Sequence, residues 1–448
     1  MLKKKLLVCL CCLTGVVFCA SAQEAWTLEE CIRYAYENHI QLKQQQLEVQ
    51  RAENDLLQSK LGILPNLNAS GGYSMSQGKT VDMNTLEIIT GKTVYKASGN
   101  INSSVSLFKG LQQKNTIDRN LYSLLANIEN VEKLKNELSI KIALYYLQIV
   151  HDQERLAVYE NQLNQTMLQV NRTATLVEAG FVPEGNLFEI QSQAATDELQ
   201  LVRARNNLDI SRLNLAQLLD LETRTNFQIL IPDFSNLEIS NLLSSVDDVY
   251  ATAVAILPQI KAAEYDLKRI EKQLAINRGY RSPTLLLQGS YGTGGYSSTA
   301  RHPSKDIYPF WEQIKDGVYS SISLQISFPI FDGWRVNTGI KNAKLTVQNY
   351  QYQLQLTKNV LYKEIQLAYA DAAAALKQYF SATKAVTSME ETFRYTQQKY
   401  EVGLMNFVDY SAAKTRLEAA QSDMLQAKFE YIFKTKVLDF YNGREIRL

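Results

Sequence analysis

The residues of this 448-residue chain that are able to do chemistry are few and poorly grouped. His39, His151 and His302 are the only histidines. They stand far apart, with no H-E-x-x-H and no paired Cys/His spacing of the kind a zinc site needs. Of five cysteines, Cys9, Cys11, Cys12 and Cys19 crowd the N-terminus and leave Cys31 alone. The run Gly292-Thr293-Gly294-Gly295 lacks the Lys-Ser/Thr of a phosphate loop and reads as a mobile loop at a strand end. No G-x-S-x-G elbow occurs. The 25 tyrosines, Tyr73 and Tyr291 among them, read as girdle and packing residues. Tyr308, Phe310 and Trp311 either cap an opening or stabilise their own loop. The expectation is a protein with no active site, metal or cofactor, not an enzyme. The missing constellation also argues against an enzyme carried on this scaffold.

The chain opens MLKKKLLVCLCCLTGVVFCASAQ. A basic stretch (Lys3 to Lys5), an apolar stretch (Leu6 to Phe18) and Ala20-Ser21-Ala22 read as a secretory leader over residues 1–22. A lipoprotein signal is the rival, opposed by the bulky Phe18 before Cys19. The mature chain then holds one cysteine and folds without a disulfide. The net charge of +1 turns slightly negative once the leader lysines leave, which is no footprint for nucleic acid. No other stretch is apolar and long enough for a membrane helix.

One unit occurs twice. TLEECIRYAYENHIQLK from Thr27 matches VDDVYATAVAILPQIK from Val246, and Pro65 falls on Pro283 and Tyr73 on Tyr291 at an offset of 218. From Phe108 on Phe331 and Gly110 on Gly333 the offset is 223, as for Gly180 on Gly403. The halves are expected at residues 23–228 and 246–448, joined by a connector at 229–245. Each is predicted to hold one entry helix (Leu28 to Leu61; Val246 to Arg278) ended by Pro65 or Pro283. Two alternating strands follow, at about residues 66–76 and 98–108, then 284–294 and 318–328. Next comes a helix of about 70 residues, about 100 Å long, then a return helix (Leu187 to Leu219; Phe407 to Tyr441).

The strands place Leu67, Tyr73, Met75, Ile101, Val105, Leu285, Leu287, Ile322, Leu324 and Ile326 on one face. The other face is nearly all Ser, Asn and Gln. A soluble sheet over a core is one reading. The nearly uncharged polar face and the lack of any layer to cover the apolar one favour a membrane wall, lipid outside and water inside. Four strands cannot close around a lumen, since known barrels start at about eight, and open edges are not tolerated in hydrocarbon. Each chain must then supply one sector of an oligomer. The long helices, rich in Gln, Asn, Lys and Glu with more than one apolar stripe, suit lateral packing between neighbours. An exported coiled-coil structural protein of the periplasm is the alternative.

The leader, the repeated helix–strand–strand–helix–helix unit, the passages SFPIFDGWRVNTGI and SLFKGLQQKNTI, and the turns EAGFVPEGNLFEIQ and EVGLMNFVDYSAAK together resemble the TolC-like outer-membrane efflux family over nearly all of the mature chain. The resemblance implies a mixed α and β membrane protein: a homotrimer whose twelve-stranded β-barrel, four strands per chain, continues into a periplasmic α-helical barrel. It implies an exit duct of a tripartite efflux or type I secretion system, set in outer-membrane lipid and served by a periplasmic adaptor (membrane fusion) protein and an inner-membrane transporter. Phe108, Gly110, Pro329, Phe331 and Gly333 would form the seams from barrel to tunnel. Pro329 ends a strand ladder because it has no N–H, and the first seam, lacking a proline, is expected to turn more gently. Gly180, Phe181, Val402, Gly403 and Leu404 would meet the adaptor. At the family's gate positions stand Asp409, Tyr400 and, in the first half, Asn186. Ala412 and Met405 replace a second aspartate and an arginine. Asp409 would form a ring of carboxylates that binds cations; it is otherwise a first-turn acid favoured by the helix dipole.

Overall fold

A computed structural model describes residues 25–81, 86, 88–221, 227–232, 245–298 and 309–446. The leader, His302, Tyr308 and most of the connector lie outside the described residues. The chain runs α1 (Leu28–Asn38), α2 (Ile40–Leu61), β1 (Asn66–Val81), β2 (Ile88–Lys109), α3 (Gln112–Glu178) and α4 (Glu184–Leu218). It continues through α5 (Val246–Ile256), α6 (Pro258–Gly279), β3 (Thr284–Ser298), α7 (Phe310–Asp316), β4 (Tyr319–Ser327), α8 (Arg335–Glu401) and α9 (Phe407–Tyr441). With the short α7 set aside, one order of elements occurs twice. The long helices α3 and α8 are each 67 residues, and α4 and α9 each 35.

Local chemistry is reused at matching positions. Thr27 and Glu30 form a capping box at α1, and 218 residues on Ser245 Oγ accepts the Asp248 N–H at the start of α5. Such caps satisfy amides that a helix start leaves without partners. The single entry helix expected in each half is in fact two. His39 (φ −60°, ψ 126°) separates α1 from α2, and Leu257 (φ −70°, ψ 131°) separates α5 from α6. In the second half the cause is Pro258 at the first position of α6, which forces the preceding residue out of the helical region.

The sheet is antiparallel throughout, in the order β1-β2-β3-β4. Its register aligns Ala69, Ile101, Tyr291 and Ser320 in one row, so the four apolar faces predicted from alternation merge into one. That face is bare: Leu67, Tyr73, Met75, Tyr291, Ile322, Leu324 and Ile326 are all exposed, Ile322 to 84%. On the other face polar side chains bond across strands. Asn66 accepts from Ser104 at 2.9 Å, Ser70 donates to Asn100, and the Ser290 and Ser321 hydroxyls meet at 2.7 Å. β1, β2 and β3 exceed expectation in the hairpin direction, β2 reaching 22 residues, whereas β4 has nine and falls short of it. The Gly292–Gly295 run lies inside β3, paired with Gly99 to Ala97 among its partners, and is strand rather than mobile loop.

Two compact units divide the chain. One, residues 44–132 and 257–360, contains the sheet and its adjoining helical ends. Its helices are joined laterally by polar contacts such as Lys272 to Asp118 (2.8 Å) and Arg119 to Gln273 (2.9 Å). The other, residues 1–43, 133–256 and 361–448, holds the main apolar core around Leu28, Cys31, Ile142, Tyr146, Leu215, Phe429 and Ile432. There Trp26 forms a parallel bridge to Ile229, and the Tyr146 hydroxyl donates to the carbonyls beside it. Asp220, left-handed at φ 55°, accepts the Ile40 N–H with its carboxylate (3.1 Å), capping α2.

Both passages from strand to helix use the same device. Gly110 and Leu111 are left-handed (φ 56° and 58°), and so are Gly333 and Trp334 (φ 66° and 68°). Pro329 follows the end of β4 at Ser327, as expected. The first passage does without a proline and has instead a register shift between Ser106 and Phe108. The seams also differ in packing. A Cβ on Gly110 would overlap the Gly279 carbonyl and Ser282, and one on Gly279 would meet the Gly110 carbonyl at 2.5 Å, whereas around Gly333 there is open space. Gly333→Ala should therefore cost about 1 kcal/mol, the left-handed penalty alone. Gly110→Ala adds overpacking of about 1–3 kcal/mol. Thermal unfolding of the two variants measures the difference, and equal midpoints would contradict it.

Candidate functional site

Two features of the helical unit hold most of the residues with a functional claim. The first is the pair of helix–helix turns. Helix α3 ends in a Schellman turn: Gly180 (φ 75°) donates its N–H to the Val177 carbonyl, and Phe181 donates to Leu176. Helix α8 ends identically, with Gly403 (φ 77°) donating to Tyr400 and Leu404 to Lys399. Only glycine adopts this backbone without strain. Nothing lies within 4 Å of the absent Cβ in either turn. The turns therefore carry apolar side chains into solvent: Phe181, Val402 and Leu404 are all exposed, with Phe188 and Val408 beside them in sequence. The expected contact residues are thus available to a partner.

The expected gate residues lie on three helices, Asp409 in the first turn of α9, Tyr400 in the last turn of α8 and Asn186 in the first turn of α4. Asn406 is the N-cap of α9, its side chain accepting the Asp409 N–H at 2.8 Å, and Asp409 is exposed in the first turn. Asn186 is half-buried in the first turn of α4, its N–H donated to the Pro183 carbonyl. Tyr400 stacks on Tyr410 with ring centroids 4.6 Å apart, and Phe407 and Phe393 complete the aromatic group. Burial, with Glu189 nearby, raises the Tyr400 phenol above its ordinary range. Burial pushes Tyr410 up to about 12, reinforced by Tyr400 and Glu401. Both rings stay neutral, and Tyr400 fastens the α8–α9 turn from inside its own chain.

The second feature was not found from the sequence. Asp197 on α4 is 1% exposed and Lys414 on α9 is 8% exposed. Lys414 Nζ donates to Asp197 Oδ2 at 2.9 Å and to Thr166 on α3, whose hydroxyl donates in turn to the same carboxylate oxygen. Gln193 and Gln162 donate to the other oxygen at 2.8 and 3.2 Å. A buried charge pair is tolerated when its remaining sites are hydrogen-bonded in this way. Glu418 lies 3.7 Å from Lys414; burial raises its carboxyl pKa, and Lys414 offsets part of that rise. Sequence offered one weak signal, the i,i+4 spacings of Gln193 with Asp197 and Lys414 with Glu418. At the offset of 223 the positions of Thr166 and Asp197 are Met389 and Ala420, so the cluster, which joins the first half to Lys414 of the second, is not repeated at the matching positions.

The other titratable residues are structural. Cys31 is fully buried, its thiol pushed up to about 12 by burial and then by Glu30. Asp152 is pushed up by burial, but hydrogen bonds from His151, Ser211 and Gln148 more than offset this and leave it below the ordinary carboxylate range. Among the described residues no cluster of His, Cys, Asp or Glu could hold a metal ion, and no helix is long and apolar enough to cross a membrane.

The seam residues form a third, apolar feature in the sheet-bearing unit. Phe108, Leu111, Phe328, Ile330, Phe331 and Trp334 are all exposed, Ile330 to 95%.

The family model described as "Outer membrane efflux protein" matches residues 31–220 and 249–435, leaving out the connector between the two runs of elements. The outer membrane efflux protein BepC of Brucella suis is 22% identical over 449 residues, covering 98% of this chain and 90% of its own length. The outer membrane protein TolC of Escherichia coli K12 is 22% identical over 430 residues, covering 92% and 81%. Among solved structures, the transmembrane channel CusC superposes with a TM-score of 0.79 at 18% identity, over 94% of this chain and 92% of that one.

Removing one partner of the buried pair strands the other. Lys414→Met should destabilise the protein by about 3–5 kcal/mol, and Lys414→Met with Asp197→Leu should recover most of that loss. Denaturant unfolding followed by circular dichroism gives both numbers. A double variant no more stable than the single one would show that the pair does not act as a unit.

Proposed function

The chain belongs to the outer membrane efflux protein family, and on that premise we propose that it works as a passive exit duct of a tripartite efflux or type I secretion system. The duct sits in the outer membrane and extends into the periplasm. In this reading three copies close a twelve-stranded barrel, each giving its four strands, and α3, α4, α8 and α9 line up with those of the sister copies as a helical tunnel. The two halves are the products of an internal duplication. An inner-membrane transporter supplies the energy, and a periplasmic adaptor docks on the exposed Phe181, Val402 and Leu404 around the glycine turns.

One observation carries the assembly. The sheet leaves β1 and β4 as open edges and exposes a continuous apolar face, with a hydrogen-bonded Ser/Asn face behind it. Hydrocarbon accepts that apolar face, but a strand edge can lie there only when another strand pairs with it. Outer-membrane preparations should therefore yield a species three chains in mass with a steady single-channel conductance. A lone subunit, or closed bilayers, would overturn the reading.

Two substitutions test its parts. Leu324→Arg puts a charge on the lipid side and should cost about 2–4 kcal/mol of folding stability in vesicles, while Ser323→Arg next to it faces the lumen and should be tolerated. Equal losses would refute the assignment of faces. Asp409 is the proposed gate carboxylate, three of them ringing the tunnel mouth. In reconstituted channels Asp409→Ala should weaken cation selectivity, seen as a reversal potential shifted toward zero in a salt gradient. An unchanged reversal potential leaves Asp409 as a helix-start acid only.

A further inference from the structure

We propose that α7 is a lipid anchor, a short helix laid on the outward face of the sheet so that Trp311 sits in the headgroup layer of the membrane. The inference rests on the reading above in one respect, that the apolar face of the sheet meets hydrocarbon.

The position of α7 follows from a difference in strand length. β4 begins at Tyr319, opposite Gly292, while β3 runs on to Ser298. From Thr293 onward β3 has no β4 beside it, and α7 takes up that stretch. Gln313 Oε1 accepts the Tyr296 N–H at 2.8 Å, and the Thr293 hydroxyl donates to the Ile314 carbonyl. A Cβ on Gly295 would meet Phe310 Cε2 at 2.9 Å and Ile314 Cδ1 at 3.0 Å. Glycine at that position is what allows the helix to lie so close.

Strand alternation decides which side α7 occupies. Thr293 and Gly295 share a face with Leu287 and Tyr291, the bare apolar face, and both are in contact with α7. The helix is therefore not a cap over the polar side. With Phe310 and Ile314 turned to the sheet, Trp311 is 78% exposed and Lys315, one turn later, is exposed too. An aromatic ring beside a cation is the pairing that settles at a membrane–water boundary, the ring among headgroups and the ammonium toward phosphate.

The level is right as well. Gly295 pairs with Ala97, which pairs with Tyr73, and Tyr73 stacks on Tyr95 with centroids 6.2 Å apart. This aromatic group lies at one end of the apolar band, and the Phe328–Trp334 collar lies at the other. Leu285 to Gly295 spans about 33 Å of strand, or about 25 Å of height at a tilt of about 40°, which matches the apolar band of outer-membrane barrels.

The test uses the full chain with Trp26→Phe and Trp334→Phe, leaving Trp311 as the sole tryptophan, reconstituted in phosphatidylcholine vesicles. Phosphatidylcholine brominated near the headgroup end of its acyl chains should lower the emission by about half. Should Trp26→Phe impair folding, the quenching lost between wild type and Trp311→Phe reports the same quantity. Emission indifferent to bromine overturns the anchor. If acrylamide then quenches it, Trp311 faces water; if neither does, a sister copy covers it. Leu324→Trp with the three native tryptophans replaced by Phe serves as the control, quenched by bromines deep in the chains. Failure of the control refutes the membrane face itself, whereas its success with an unquenched Trp311 refutes α7 alone.

Discussion

Every strand edge carries a row of N–H and C=O groups, and in hydrocarbon each one left without a partner costs several kcal/mol. In this chain the sheet ends in two such edges, β1 and β4, and it also bares an apolar face that water would penalise. One arrangement removes both penalties together: edge joined to edge, apolar face in lipid. The Ser and Asn face then meets water, its side chains hydrogen-bonded across the strands. The proposed trimer is a consequence of that arithmetic of edges, since four strands are too few to bend round and meet each other.

The helical unit meets a different demand, that of turning a long chain back on itself without loosening it. Backbone solutions recur at fixed offsets while the side chains around them change. Gly180 and Gly403 close matching Schellman turns. Gly-Leu and Gly-Trp occupy matching left-handed pairs at the seams. Asp220 stands where the second half has Gly443, accepting left-handed strain in return for a carboxylate that caps α2. The departures from symmetry mark specialisation. The Asp197–Lys414 cluster, which ties α3 and α4 of the first half to α9 of the second, has no counterpart at the matching positions. Among the described residues, a helix within a hairpin occurs in the second half alone, as α7.

Much of this was legible in the sequence. Alternation gave the correct face for every strand, because a period of two has no ambiguity once one face is apolar and the other nearly all Ser, Asn and Gln. The glycine turns and the long helices were legible too, since left-handed positions select glycine and 67 residues without a proline leave little else to form. The break at His39 was not, because no proline marks it; its twin at Leu257 could have been read from Pro258. The buried Asp197–Lys414 pair was invisible for a physical reason. A charged residue on a helix with many polar residues looks like surface until the neighbouring helices are in place, and the contact between Lys414 and Asp197 joins residues more than two hundred positions apart. The proposed gate residues stand differently. Asp409 and Tyr400 are assigned by resemblance rather than read from the residues, and a ring of carboxylates is a property of several chains together.

The unequal strands have a mechanical meaning. β4 presents nine residues along its free side, whereas β2 and β3 are knitted over most of fifteen. In a ring built from such pieces a joint along β4 is no longer than nine residues, the length of the β3–β4 ladder inside the chain. The β3–β4 strands are also held by the chain that connects them, and strands of different chains are not, so under heat or pulling such a ring would part first at the joints between chains.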